Sequence, residues 1–166
     1  MDSKRAVILI GHGGVPSDCP PELVGRFKRE EALAKGRPSP GLAAADAELR
    51  AWPRTDSTDP YGAGLRSLLA ALKAQLPGHE VVEAYNEFCP PTLEQALAAV
   101  IGRGAREVTV LSTMYTRGGL HSEKEIPALL EAERLRHAGV VIRYVWPYSL
   151  EAVSGMLAQE VLRTEK

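Results

Sequence analysis

The chain is poor in cysteine, has no long apolar run and carries almost no net charge. Its two cysteines, Cys19 and Cys89, lack the CxxC spacing of a metal or redox motif, which favours free thiols in a reducing compartment over a disulfide. No stretch reaches the roughly 18 consecutive apolar residues that a transmembrane helix needs. A formal net charge of −1 provides no long-range field for a polyanion. We therefore expect neither a membrane nor a nucleic acid as a partner.

Several well-known nucleotide and hydrolase motifs are also missing. The sequence contains no GxxxxGK phosphate loop, no GxGxxG fingerprint, no GxSxG elbow and no HExxH pair. We therefore expect no nucleotide cofactor. The same absences count against hydride transfer and serine hydrolysis as the activity. The first apolar run, residues 6–10, is too short for the core of a secretory signal, so we expect a cytoplasmic protein.

What the sequence does contain is a regular alternation of strand and helix patterns. A hydrophobic content of 45% with 25% charged residues is ordinary for a globular protein, so we expect one domain over residues 1–166. Short apolar runs predict strands at 6–10, 80–85, 108–114 and 140–146. Helical spacing predicts helices at 60–76, after Pro91-Thr92, from Pro127 to about 139, and at 149–162. The alternation predicts an α/β fold: a doubly wound, mainly parallel sheet of four or five strands with helices on both faces.

Residues 15–59 interrupt this alternation. The segment predicts two helices, at about 21–35 and 42–52, with no strand between them. We interpret it as a helical insertion after the first strand. Because it begins directly after His12, we expect it to form a wall or lid of a pocket, although a packing extension away from the site is the alternative.

Two glycine-flanked histidines each follow a predicted buried strand. His12 lies in Ile8–Gly14, at the end of the first strand, and His121 lies between the third strand and a helix that Pro127 begins. The carboxyl ends of parallel strands meet at one edge of a sheet, so the two imidazoles are expected to face one crevice. Two imidazoles with a carboxylate are typical of a divalent-metal site. We predict His12 and His121 as metal ligands.

Two carboxylates are candidates to complete this site. Glu87 follows the second strand and is expected at the same edge of the sheet. Glu125 lies four residues after His121, so the two side chains meet if that segment is helical. Either carboxylate is suited to bind the ion, accept a proton or orient an imidazole. The alternatives are a surface loop carboxylate for Glu87 and compensation of a helix dipole for Glu125.

Backbone amides and one guanidinium near the histidines are candidate ligand contacts. Such groups are suited to the carboxylates of a small-molecule ligand, although as a motif they are unspecific. The residues are Gly13, Gly14, Arg117, Gly118 and Gly119.

These motifs together resemble the CbiX/SirB-type sirohydrochlorin chelatases, which belong with ferrochelatase to the ATP-independent class II tetrapyrrole chelatases. The likeness is strongest over residues 81–147. Its elements are Glu83-Ala84-Tyr85-Asn86-Glu87, residues 91–97, the strand 108–114, Gly119-Leu120-His121 with Glu125-Ile126-Pro127, Trp146-Pro147 and the opening 7–13. The sequence departs from the family where Gly13-Gly14 replaces the usual Gly-Ser-Arg, and where residues 15–59 form an unusually long connection.

The resemblance implies an enzyme that inserts cobalt, iron or nickel into sirohydrochlorin or a related tetrapyrrole. The divalent ion and the tetrapyrrole would be its substrates, and no nucleotide would be needed. His12 and His121 would be the metal-binding and catalytic histidines, assisted by Glu87 or Glu125. The length resembles the short, single-module chelatases, which form homodimers, although the insertion is an alternative means of completing the pocket within one chain.

Two other classes of protein stay open on the residues alone. The first is a non-catalytic metal or tetrapyrrole carrier on the same fold. The second is another small-molecule enzyme, phosphatase-like or isomerase-like, that uses histidine as an acid or base. The absence of an Arg-His-Gly opening counts against a histidine phosphatase.

Overall fold

Four parallel strands form a single sheet whose order determines where the site lies. The computed structural model describes residues 4–165. Its strands are β1 (Lys4–Gly11), β2 (His79–Tyr85), β3 (Ala105–Ser112) and β4 (Val141–Val145). They lie in the order β2-β1-β3-β4, and every neighbouring pair is parallel. This confirms the predicted α/β fold and places the carboxyl ends of all four strands at one edge.

The helices begin where the sequence supplies the usual signals. They are α1 (Pro21–Ala34), α2 (Pro40–Ala51), α3 (Pro60–Gln75), α4 (Leu93–Gly102), α5 (Ile126–Arg136) and α6 (Leu150–Thr164). Proline occupies the first turn of α1, α2 and α3, where a missing N–H costs nothing. Pro127 lies at the start of α5, directly after a π-helical turn. At α4, Thr92 and Gln95 cap each other's backbone amides in a capping box. A π-helical turn, His121–Glu125, leads directly into α5.

The core lies on both faces of β1. Ile8 and Ile10 point to one face, where they pack with residues of α4 and α5 such as Leu97 and Leu130. Leu9 points to the other face and packs against Leu65 of α3. Helices therefore cover both faces, as predicted, and residues 6–10 of β1 are continuously apolar because neither face of the strand meets water there. Of the described residues, none belongs to a helix long and apolar enough to cross a bilayer.

The predicted insertion forms a small helical layer of its own. Helices α1 and α2 pack together around a separate cluster that includes Leu23, Phe27 and Leu49. Phe88, from the loop after β2, packs against the same cluster. The two helices predicted for this segment are confirmed, and they adjoin the loop that carries Glu87.

Two elements differ most from the prediction, the third strand and the helix at Pro127. The third strand spans 105–112 instead of 108–114, because Ala105 is fully buried beside β1 and Met114 donates to the Oγ of Ser112 instead of to the ladder. The helix predicted to begin at Pro127 is preceded by the π-helical turn His121–Glu125, which runs directly into α5.

Both cysteines are buried and unpaired. Burial raises the pKa of each thiol, so Cys19 and Cys89 are held in the neutral form. This agrees with the expectation of free thiols.

Truncating the core beneath the site tests the fold. Leu97 is fully buried between α4 and the sheet, so Leu97→Ala is expected to lower the free energy of unfolding by about 2–5 kcal/mol. Leu135→Ala is the matched control, because Leu135 is 78% exposed, and its effect is expected within about 0.5 kcal/mol. Urea unfolding followed by circular dichroism measures both. Equal losses in the two variants would contradict the described core.

Candidate metal centre

The ladder between β1 and β2 continues beyond the strands and brings His12 and Glu87 together. Gly11 and Tyr85 are the last paired residues of the two strands. Beyond them, Asn86 N–H donates to the Gly11 carbonyl at 2.9 Å and Glu87 N–H donates to the His12 carbonyl at 2.8 Å. The predicted meeting of these residues at one edge of the sheet is therefore present in the structure.

His121 reaches the same edge from the segment that follows β3. It is the first residue of the π-helical turn, and Glu125 lies at the end of that turn. The Nδ1 atom of His121 is 2.6 Å from Oε2 of Glu125. The predicted contact across four residues is thus formed.

Three potential ligands converge at this point. Nε2 of His12 lies 3.8 Å from Oε2 of Glu87, and Nε2 of His121 lies 3.5 Å from Oε1 of the same carboxylate. One ligand atom from each of the three side chains lies within 4.8 Å of the others. Ligands at about 2.0–2.2 Å from one ion are themselves roughly 3–4 Å apart. The spacing therefore suits a single divalent ion.

Hydrogen bonds orient both imidazoles toward that position. Nδ1 of His12 lies 3.1 Å from the Gly13 carbonyl, an acceptor, so Nδ1 carries the proton. Nδ1 of His121 faces the Glu125 carboxylate and carries its proton in the same way. Both Nε2 atoms are then left with a free lone pair facing Glu87, which is the arrangement that metal-binding histidines use.

Asn86 also contacts His121, and its bond competes with that of Glu125. The Asn86 amide nitrogen lies 2.7 Å from Nδ1 of His121 and 3.5 Å from Oε2 of Glu125. A protonated Nδ1 cannot accept from the amide as well. A hydrogen bond to a carboxylate is roughly twice as strong as a neutral one, so the bond to Glu125 prevails and Asn86 supports the carboxylate.

The centre is partly open to solvent. The side chains of His12, Glu87 and His121 are 44%, 24% and 20% exposed. Three protein ligands leave at least one position free on a four-coordinate ion, as in catalytic sites and unlike closed structural ones. The arrangement can hold an ion and still present it to a second molecule.

The helical insertion forms one wall of a cavity beside the centre. The cavity has a volume of about 300 Å³ and lies between α1–α2 and the loop after β2. Phe27 and Leu42 line it on the insertion side, and Glu87 and Glu125 line it on the side of the centre. The insertion is therefore placed as a pocket wall and not as a remote extension.

Gly13 allows the two ligand loops to touch. It has a φ of +103°, and a Cβ atom built there would lie 1.9 Å from the Glu87 carbonyl oxygen. The N–H of Gly14 donates to Sγ of Cys89 at 3.4 Å. The structure thus uses both glycines for contact between loops, and the expectation that they bind a ligand stays a prediction.

The segment Arg117 to Gly119 lies beside the centre in sequence but not within it. The Arg117 side chain is exposed, with Nε 3.6 Å from Oε1 of Glu123, and the N–H of Gly118 donates to the same oxygen at 3.0 Å. Their predicted role, together with Gly119, in binding a ligand stays a prediction.

Sequence reasoning missed four residues that support the centre. Asn86 directly precedes Glu87 and contacts His121, and the Tyr61 hydroxyl accepts from the N–H of His12 at 2.7 Å. Arg50 and Arg54 bind carbonyls of the loop that carries Glu87. The position of Asn86 next to Glu87 is a signal that could have identified it, but no sequence pattern marks Tyr61, Arg50 or Arg54.

A family assignment agrees with this geometry. The sequence model of the CbiX family matches residues 57–162, which is more than half of the chain. The chain therefore belongs to the CbiX family. The matched region contains Glu87, His121 and Glu125, whereas His12 and most of the insertion precede it. No curated protein sequence matches the chain.

Solved structures share the fold at low sequence identity. A protein from Marinobacter aquaeolei VT8, described as a CbiX protein of cobalamin (vitamin B12) biosynthesis, is 19% identical with a TM-score of 0.58, covering 97% of this chain and 96% of that one. The sirohydrochlorin chelatase SirB from Bacillus subtilis subspecies spizizenii, solved with cobalt, is 17% identical with a TM-score of 0.50, covering 85% of this chain and 42% of that one. SirB from Bacillus subtilis with Fe³⁺ is 18% identical with a TM-score of 0.50, at 85% and 39% coverage. This chain thus spans about two fifths of each SirB protein.

Substituting Gly13 tests the contact between the loops. Gly13→Ala places a methyl group against the Glu87 carbonyl, so the loop must shift and Co²⁺ affinity is expected to fall by about tenfold or more. Gly104→Ala is the matched control, because Gly104 has a similar φ of +97° with no atom within 4 Å of the added Cβ. It is expected to lose about 1 kcal/mol of stability and no metal affinity. Calorimetric Co²⁺ titration separates the two, and equal affinities would contradict the role of Gly13.

Proposed function

We propose that this protein inserts a divalent metal ion, cobalt, iron or nickel, into sirohydrochlorin or a related tetrapyrrole without ATP. The observation that carries the proposal is the convergence of His12, Glu87 and His121 on one ion-sized position at the sheet edge. Membership of the CbiX family supports it, as do the structural neighbours solved with cobalt and with Fe³⁺.

The chemistry of the three side chains suits such a reaction. Metal insertion requires the ion to lose bound water and the macrocycle to lose two pyrrole N–H protons. Neutral imidazoles bind Co²⁺, Fe²⁺ and Ni²⁺ well, and His12 and His121 leave coordination positions free for the macrocycle nitrogens. Once the ion has moved to the ring, an imidazole or a carboxylate is free to accept a released proton.

The two carboxylates take different roles in this proposal. Glu87 lies between both Nε2 atoms, so it acts as a ligand to the ion and as a proton acceptor once the ion has left. Glu125 faces Nδ1 of His121, on the opposite side of the ring from the ion. It orients the imidazole and increases its basicity.

Histidine variants test the activity directly. His12→Ala and His121→Ala are each expected to reduce metal insertion to the uncatalysed rate, because each removes one of three ligands. His137→Ala is the control, since His137 pairs with Glu133 at the end of α5. The assay follows the absorbance of sirohydrochlorin mixed anaerobically with protein and each metal over many equivalents. Near-normal turnover in both site variants refutes the assignment, and stoichiometric binding without turnover favours a carrier.

We also propose one domain per chain, with residues 15–59 as its insertion, and a homodimer. The observation behind the dimer is α6, in which none of the fifteen residues is buried. Its large apolar side chains are exposed at Leu150, Met156, Leu157, Val161 and Leu162. Val141 and Val145 of the edge strand β4 are also exposed. Exposed apolar surfaces of this kind mark association sites, and a second copy supplies a matching one.

A charge placed on the apolar stripe of α6 tests this association. Leu157→Glu is expected to convert the dimer to a monomer, because burying an unpaired carboxylate costs several kcal/mol. Gln159→Glu adds the same charge on the opposite side of the helix and is expected to leave the dimer intact. Light scattering after size exclusion measures the mass of each. If the protein without substitutions is monomeric at micromolar concentration, the proposed dimer is overturned.

A further inference from the structure

Two arginines of the helical insertion are unusually well buried. Arg50 lies in the last turn of α2 and Arg54 follows that helix, and their side chains are only 15% and 13% exposed. Arg26, in the same insertion, is 45% exposed and pairs with Glu48 on the surface. A guanidinium is rarely buried unless its donors are used. The partners of Arg50 and Arg54 therefore indicate what these side chains do.

Arg50 holds the loop after β2 at two points. Its Nη1 donates to the Cys89 carbonyl at 2.5 Å and its Nη2 donates to the Asn86 carbonyl at 3.0 Å. Its Nε donates to Asp46 at 2.7 Å, which fixes the guanidinium on α2. The two carbonyls lie on either side of Glu87 and Phe88, so the fork of Arg50 brackets the metal-facing residue.

Arg54 connects the same loop to the loop of His12. Its Nη2 donates to the Phe88 carbonyl at 2.5 Å, and its Nη1 donates to the Gly14 carbonyl at 2.8 Å. The same Nη1 lies 3.0 Å from the buried carboxylate of Asp59. One guanidinium thus binds both ligand loops at once.

The bracketed loop has a backbone that needs such support. Phe88 adopts a φ of +61°, in the left-handed region that a bulky residue rarely occupies. Strained conformations of this kind persist only where surrounding contacts over-determine them. The carbonyls of Asn86, Phe88 and Cys89 accept from the two arginines, and that of Glu87 accepts from Cys89 N–H. Every carbonyl from 86 to 89 is therefore bonded.

We propose that Arg50 and Arg54 are positioning residues of the metal centre, which fix Glu87 opposite the two Nε2 atoms by clamping the loop 86–89 against the loop of His12. The inference rests on the proposed function, because it takes the three side chains as metal ligands. It also gives the insertion a role beyond lining the cavity. Residues that hold metal ligands in place contribute about 10–100-fold to metal affinity.

Replacing Arg50 tests the clamp. Arg50→Met keeps an unbranched apolar stem but removes both donors to the loop, so Co²⁺ affinity is expected to fall about tenfold or more. Arg50→Lys keeps the charge without the planar fork and is expected to recover part of the affinity. Arg54→Lys is the corresponding change at the second position, because it leaves Asp59 with a cationic partner. Arg26→Met is the matched control within the insertion.

Two measurements keep the clamp distinct from a general loss of folding. Hydrogen exchange of the metal-free protein reports whether the amides of Glu87 and Cys89 lose protection in Arg50→Met and keep it in Arg26→Met. The visible absorption of bound Co²⁺ reports the coordination geometry, which a loss of global stability alone does not change. Urea unfolding confirms that each variant is folded under the conditions of the titration.

The outcomes separate this inference from the proposed function. Unchanged protection of the loop in Arg50→Met overturns the clamp, and so does a loosened loop with unchanged Co²⁺ affinity and spectrum. Normal Co²⁺ binding by the unchanged protein without metal insertion overturns the proposed enzyme and leaves the positioning role standing. If the unsubstituted protein binds no Co²⁺, the proposed metal site is wrong, and so is the positioning role of the arginines. Hydrogen exchange then still shows whether the arginines hold the loop in place.

Discussion

Two backbone hydrogen bonds just beyond the ends of β1 and β2 fix the geometry on which the rest of the site depends. Asn86 N–H donates to Gly11 and Glu87 N–H donates to His12, so the parallel register continues into the loops. A shift of one residue would turn the side chains to opposite faces of the sheet. Because β1 lies between β2 and β3, the same register places the loop after β3, with His121, on the other side of His12. The convergence of His12, Glu87 and His121 is therefore a consequence of strand order and register.

Bringing the two loops into contact has a cost in backbone conformation, which the insertion offsets. The left-handed Phe88 costs on the order of 1–3 kcal/mol, and the contact at Gly13 leaves no room for a side chain. Arg50 and Arg54 supply hydrogen bonds from charged donors, worth about 1.5–3 kcal/mol each, to the carbonyls of this loop. The helical layer is therefore part of the support of the site, although its own apolar cluster is small.

The fold and the three converging side chains of the site can be predicted from local sequence patterns. The residues that hold the ligand loops in place cannot. Apolar runs and helical spacing predict the strands and helices because burial is periodic in each element. His12 and His121 are predictable because they follow buried strands beside glycines, and Glu125 because a helical turn joins it to His121. Arg50 and Arg54 are not, since an arginine near a helix end is usually solvated and the loop carbonyls that they bind lie at least 34 positions away. The exposure of the apolar side chains of α6 could not be predicted either. An amphipathic pattern predicts an apolar face of a helix and not what covers that face.

The two histidines are held with unequal strength, and the difference matters for a site that must release its ion. His121 is fixed by a charged carboxylate at 2.6 Å and is the less exposed of the two. His12 is fixed by a neutral carbonyl at 3.1 Å, and its side chain is 44% exposed. Charge-assisted hydrogen bonds are about twice as strong as neutral ones, so His121 is the more rigid ligand. Under the proposed function, the more weakly held His12 separates from the ion at lower cost, and an open three-ligand centre thereby combines capture of the metal with its transfer.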